Sequence, residues 1–132
     1  MCIFCKIINN EIPSYKVYED ENFLAFLDIS QATKGHTLVV PKIHYANIFE
    51  MPEDSAIFSI VTKLAKAIKE ATNAEGVNIL NNNGAAAGQT VEHFHIHIIP
   101  RYKDDKIVLS FPENKTSNEE FIELLNKIKN SL

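Results

Sequence analysis

Three of the chain's five histidines, His93, His95 and His97, stand at alternate positions in the stretch VEHFHIHIIP, residues 91–100. An imidazole titrates near pH ~6.5, so at neutral pH it serves as nucleophile, general acid, general base or metal ligand. Alternation suits an extended strand, whose successive side chains leave opposite faces. The three rings then share one surface, spaced roughly 6.5–7 Å apart, close enough to serve one small ligand. Phe94, Ile96 and Ile98 face a core from the other side. The plainer reading is a half-buried strand whose outer face happens to be histidine. Thr or Lys would fill such a face equally well, and three imidazoles in register therefore point to chemistry.

Directly upstream lies NNNGAAAGQT, residues 81–90, with two glycines, three alanines and a run of amides. Small residues let backbone approach a ligand closely, and successive N–H groups in a turn form an anion-binding concavity. Alone the segment reads as a flexible loop; beside three histidines it reads as a seat for phosphate. The charge balance bears on how such a seat would work. With 13 basic and 17 acidic residues the formal net charge is -4, and no basic run is present. That argues against a protein that grips nucleic acid by its phosphates. An anionic ligand must be held by local, mostly neutral donors.

Cys2 and Cys5 form a Cys-x-x-Cys pair at the N-terminus, too few for a disulfide framework in a chain of 132 residues. The spacing serves zinc, redox chemistry or neither. A thioredoxin-like role asks for the pair at a helix start within a βαβ unit, which the sequence does not display. Zinc asks for two further Cys or His ligands in a tetrahedron.

Positioning such groups takes a scaffold, and its elements are visible in the apolar pattern. Residues 15–29 read as a hairpin, with Val17 and Tyr18 before a polar EDEN turn and FLAFLDI after it. HTLVVP, His36 to Pro41, is a β-branched run stopped by proline; VNILNN, Val77 to Asn82, leads toward the strand at 91–99. A helix is predicted from Pro52 to Thr72, burying Ile57, Ile60, Val61, Leu64, Ile68 and Ala71 along one stripe, with Glu53 and Asp54 in its first turn. A last helix opens at Ser117, where Glu120 completes a capping box, and is predicted to bury Phe121, Leu124, Leu125 and Ile128. Strands broken by segregated helices give an α+β fold, in a single domain over residues 1–132. No apolar run approaches the roughly 20 residues of a membrane helix, and the start MCIFCKIINN lacks the pattern of a secretory signal, so a cytoplasmic protein is expected.

The run His93-Phe94-His95-Ile96-His97-Ile98-Ile99 resembles the histidine triad motif, His-φ-His-φ-His-φ-φ with φ apolar, and NNNGAAAGQT resembles that family's nucleotide loop. The likeness extends through IFCKIINNEIPSYKVYEDE, FLAFLDISQATKGHTLVVPKIHY and GQTVEHFHIHIIPR, nearly the whole chain, and is nearest to the Hint-like branch in its bacterial form. It implies a five-stranded antiparallel sheet with one long helix and a C-terminal helix, assembled as a homodimer. The implied activity is hydrolysis of purine nucleoside 5′-phosphoramidates, or related nucleotidyl substrates, with release of a nucleoside monophosphate such as AMP. Cleavage of dinucleoside polyphosphates, a sister branch's activity, is the enzymatic alternative, and a non-catalytic nucleotide- or zinc-binding module is the alternative of another class.

The resemblance also distributes roles. His95 matches the nucleophile, whose other ring nitrogen donates to the carbonyl of the residue matching His93. His97 matches the histidine that bonds phosphate oxygens, and His36 the fourth histidine behind it. Asn82, Gly88, Gln89 and Thr90 fall on positions that hold phosphate and leaving group; Thr90 stands where serine is usual and keeps the hydroxyl. Asp28 and Ile29 match the ribose-binding positions, and Ile3, Phe4, Ile7 and Phe26 the apolar slot for the base. Leu27 departs from the pattern, standing where Hint proteins carry histidine. Some bacterial members that begin Cys-x-x-Cys bind zinc at positions matching His44 and His93, which implies a structural zinc on Cys2, Cys5, His44 and His93. Free thiols are the alternative. Zinc on His93 would pin the backbone whose carbonyl orients His95.

Overall fold

A computed structural model describes residues 2–132. Its elements run α1 (Ile3–Ile8), β1 (Lys16–Glu19), β2 (Phe23–Leu27), β3 (Thr37–Pro41), α2 (Ile57–Thr72), β4 (Gly76–Leu80), β5 (Ile96–Arg101) and α3 (Asn118–Ser131). The five strands form one sheet in the order β1-β2-β3-β5-β4, every neighbouring pair antiparallel. This is the α+β architecture read from the sequence. No helix among the described residues is long and apolar enough to cross a membrane.

The central strands are buried on both faces, and the period of two sorts their side chains. Phe23, Ala25 and Val39 join Phe94, Ile96 and Ile98 beneath α2, which contributes Ile57, Val61, Leu64 and Ile68. Leu24, Phe26, Leu38 and Val40 face the other way and pack under Phe4 and Ile7 of α1. A chain segment with two buried faces reads as a continuous apolar run, as FLAFL and TLVVP do. Burying each Leu, Ile or Phe in these layers contributes roughly 1.5–3 kcal/mol.

Three expectations need correction. The long helix begins at Ile57, because Pro52 to Ser55 closes a turn (Ser55 N–H to the Pro52 carbonyl, 3.2 Å) and the Ser55 hydroxyl accepts from the Ile57 N–H at 3.3 Å. Glu53 and Asp54 therefore precede the helix, and Ala71 lies exposed beside the buried stripe. The helix stops at Asn73, which adopts a left-handed φ of 59° and caps the last carbonyls.

The histidine strand is shorter than predicted, since β5 starts at Ile96 and leaves His93 and His95 outside the ladder. Its neighbour β3 ends at Pro41, which has no N–H to give. A side chain takes over there, with the His93 ring 2.8 Å from the Pro41 carbonyl, while the Phe94 N–H finds the Tyr45 carbonyl at 2.6 Å. The alternation of faces nevertheless persists through residues 93–98.

The capping box of α3 is present, with the Ser117 hydroxyl and the Glu120 carboxylate each bonding the other's backbone N–H. Its apolar stripe, however, is not buried: Phe121, Leu124, Leu125 and Ile128 are 50–62% exposed. Amphipathic spacing makes a helix one-sided but does not say what covers that side.

Candidate functional site

The site forms where α1, the β2–β3 loop and the start of β5 converge. On the α1 side of the sheet, Phe4 lies edge-on to the rings of both His93 and His95, at centroid distances of 5.9 and 5.1 Å. His95 in turn lies 4.9 Å from His97, and His97 lies 5.1 Å from His36. The expected surface of three imidazoles exists, but it divides. His93 turns toward the cysteines, while His95, His97 and His36 form a second group.

Backbone contacts fix the protons on these rings. His95 Nδ1 lies 2.7 Å from the His93 carbonyl, an acceptor only, so Nδ1 carries the hydrogen and Nε2 keeps its lone pair. His93 is the reverse: its Nε2–H donates to Pro41 and Nδ1 is left as a bare ligand. The Ala32 N–H points at His36 Nδ1 from 3.2 Å, which puts the His36 proton on Nε2, 2.9 Å from His97 Nδ1. His97 then accepts on Nδ1 and keeps its own proton on Nε2. Asp28 closes this row with a carboxylate oxygen 3.7 Å from His36 Nε2.

All three rings are neutral at pH 7. Burial pushes His97 down to about 4, helped by repulsion from His95 and His36. Burial also lowers His95, against its bond to the His93 carbonyl, and lowers His36, against the pull of Asp28. A buried imidazole held neutral, with an unprotonated nitrogen, is a nucleophile ready at neutral pH.

A cleft of about 130 Å³ opens beside this row, lined by Ile3, Phe4, Ile7, Phe26, Asp28 and Ile29, the residues expected to hold base and ribose. Leu27 lines it too, as does Ser14, whose hydroxyl is the one buried side-chain polar atom without a hydrogen bond among the described residues. Nothing in the sequence singled out Ser14.

The glycine loop is built by its own side chains. Gly84 and Gly88 take φ of 90° and 89°, a region open to glycine at little cost, around a short 3₁₀ turn at Ala85–Ala87. Asn82 lies half-buried opposite Gly88, and Thr90 is exposed at the loop's end. Gln89 is tied into the loop: its amide donates to the Ala46 and Val91 carbonyls at 2.6 and 2.9 Å, and its backbone N–H goes to Gly84, so it shapes the loop. Asn81, absent from the expected set, donates to the His95 carbonyl at 2.8 Å and so anchors the backbone at His95.

Cys2, Cys5, His44 and His93 converge as the sequence suggested. Sγ to Sγ is 3.1 Å, the four S···Nδ1 distances are 3.3–3.6 Å, and the two Nδ1 atoms are 3.1 Å apart. A tetrahedron with metal–sulfur and metal–nitrogen bonds of ~2.3 and ~2.0–2.1 Å has edges of roughly 3.3–3.8 Å, so the sulfur–nitrogen and nitrogen–nitrogen edges lie within a few tenths of an ångström of the required shape and the two sulfurs are drawn closer than their ~3.8 Å edge. The Pro41 carbonyl fixes the His93 tautomer that ligation needs, the usual outer support of a metal-bound histidine. Both cysteines are free thiols, and they come together at the first turn of α1.

Residues 9–104 match the model of the HIT domain. An adenosine 5′-monophosphoramidase of Candida albicans is 41% identical over 99% of this chain and 91% of its own. Among solved structures, a HIT family member from Bacillus subtilis superimposes with a TM-score of 0.94 at 48% identity, covering 99% of this chain and 96% of that one. A zinc-bound histidine triad family protein from Mycobacterium smegmatis matches with a TM-score of 0.75 at 37% identity, over 99% and 97% of the two chains. With its triad, its sheet order and these relatives in agreement, the chain belongs to the histidine triad (HIT) family, among its Hint-like members.

Proposed function

We propose that this protein hydrolyses purine nucleoside 5′-phosphoramidates through a covalent nucleotidyl-histidine. The observation that carries the reading is the hydrogen bond from His95 Nδ1 to the His93 carbonyl, which leaves the Nε2 lone pair as the reactive group. Nε2 attacks the α-phosphorus, the P–N bond to the leaving amine breaks, and a nucleotidyl-imidazole forms. The departing amine takes the proton of His97 Nε2–H, while the His36 Nε2–H holds the other nitrogen of that ring; the water of the second step returns a proton to His97. Water then attacks the same phosphorus, His95 leaves, and a nucleoside monophosphate such as AMP is released.

Recognition is assigned as follows. The apolar cleft takes the base, and the Asp28 carboxylate accepts from the ribose hydroxyls. The glycine loop, with Asn82 and Thr90 beside it, receives the phosphate. The 41% identity to an adenosine 5′-monophosphoramidase supports the phosphoramidate as substrate class. We assign zinc to the Cys2, Cys5, His44 and His93 cluster, supported by the near-tetrahedral donor set and the zinc-bound relative. Zinc there supplies a rigid cross-link. This chain's own contribution is the His93 carbonyl, held at one end by the Pro41 contact of its ring and oriented at the other toward His95.

A homodimer is part of the reading, supported by the open edge of β4 with Ile79 and Leu80 exposed, and by Phe58 exposed on α2. The test of the function is His95→Ala. That variant should bind AMP but lose turnover of adenosine phosphoramidate, and brief incubation of the native protein with substrate should add one nucleotidyl mass to His95. Turnover surviving the substitution would sink the proposal.

A further inference from the structure

We propose that Gln31 is a positioning residue which, by clamping the loop between β2 and β3, aims the Ala32 amide at His36 and so dictates which nitrogens of His36 and His97 carry protons. The catalytic part of this inference rests on the His95 mechanism above; the proton placement stands without it.

Gln31 is exposed, yet its amide makes three backbone bonds. Nε2 donates to the carbonyls of Asp28 and, at 2.7 Å, His36, while Oε1 accepts from the Gly35 N–H at 2.8 Å. One side chain thus ties both arms of the loop together. The far part of the loop is seated separately: Thr33 Oγ1 donates to the Pro100 carbonyl, the Tyr102 hydroxyl to the Lys34 carbonyl at 2.7 Å. Gly35, with φ of 103°, packs so tightly that an added Cβ would lie 2.8 Å from Thr72 Cγ2. Ala32 stands between Thr33, seated on Pro100, and Gln31; its N–H is contributed from the Gln31 side of the residue, and its direction toward His36 Nδ1, at 3.2 Å, follows from where the Gln31 clamp holds the backbone on that side.

The consequence is chemical. His36 Nε2 and His97 Nδ1 face each other at 2.9 Å, which requires one hydrogen between them. While Ala32 donates to Nδ1, a neutral His36 must supply that hydrogen from Nε2, and His97 keeps its proton on Nε2. If His36 took the other tautomer, His97 would have to donate from Nδ1 and would have no hydrogen left for a leaving group. The Asp28 carboxylate, 3.7 Å from His36 Nε2, pulls the same way but lies beyond hydrogen-bonding distance. The Ser30 backbone also bonds the His36 ring, and the Ala32 amide is the contact that holds Nδ1 as an acceptor.

Long-range proton–nitrogen correlation spectra of nitrogen-15-labelled protein read the tautomers without any substrate. Native His36 and His97 should both appear as pure Nε2–H rings, and Gln31→Met, which keeps length but removes all three bonds, should turn His36 into a mixture. In the same variant kcat should fall on the order of tenfold, what one neutral hydrogen bond is worth, with KM little changed. Gln31→Glu, which keeps only the bond from Gly35, should behave alike and serves if the methionine variant does not fold. A native His36 protonated on Nδ1, or variants in which His36 stays wholly Nε2–H, would overturn the proposal. Altered tautomers in a protein without turnover would instead uphold it and remove the hydrolase reading.

Discussion

His93, His95 and His36 have their protons placed by backbone groups and His97 by the His36 ring, and the burial that brings these contacts together determines how the row behaves with pH. Because burial holds His97 near 4 and lowers His36 and His95, protonation of the row requires a pH below the ordinary imidazole value. The acid limb of kcat/KM should therefore fall below pH ~6.5, which a profile from pH 4 to 8 would show. The same shift sets a stability window. Between about 4 and the ordinary 6.5 the unfolded chain takes up a proton that folded His97 refuses. Unfolding is then favoured as pH falls through that interval, and the loss is complete once both states are protonated. Thermal melts stepped across the window should decline with acidity there and be flat above it. Asn81→Ala removes the donor to the His95 carbonyl and should cost about 0.5–1.5 kcal/mol in denaturant melts. The triad was plain in the sequence because its side chains are distinctive. The partners that assign its protons were not, since a carbonyl at Pro41 or an amide at Ala32 looks the same in any residue and Pro41 lies 52 positions from His93.

Among the elements, the sheet was largely legible. Strands buried on both faces announce themselves as apolar runs, and β2 and β3 did so to within a residue or two. The start of α2 was misread because Pro52, Glu53 and Asp54 are as suitable for a turn before a helix as for its first turn. The late start of the β5 ladder was hidden because it depends on where the neighbouring strand meets a proline, which is a matter of register and not of composition. The α3 stripe was read correctly as a stripe and wrongly as a core contact. Packing of α2 carries the energetic weight: Leu64→Ala, on its buried face, should destabilise by about 2–5 kcal/mol in equilibrium unfolding.

On the scale of the whole molecule, the cysteine–histidine cluster links segments far apart in the chain: α1, the segment after β3 and the approach to β5. Cys2 and His93 stand 91 positions apart and still lie 3.4 Å from one another, Sγ to Nδ1. A metal closing such loops stabilises the fold. Cys5→Ser should lose bound zinc by elemental analysis and melt at a lower temperature, and a strong chelator should lower the melting point of the native protein while leaving the variant unmoved. The β4 edge makes a second expectation at this scale. Leu80→Glu, placing charge on that exposed edge, should convert a dimer to monomer in analytical ultracentrifugation. The sequence alone could not indicate this edge, since VNILNN reads the same whether its outer side meets water or a twin.

The six residues of α1 serve several parts of the site at once. Cys5 reaches the thiol–imidazole cluster, Phe4 leans on the ring of His95, and Ile3 and Ile7 wall the apolar cleft. The sheet's ladders do not include that turn. Trimming a handful of N-terminal residues should thus disable recognition and reactivity together, and by uncovering Leu24, Phe26, Leu38 and Val40 it should also lower the melting temperature of the sheet left behind.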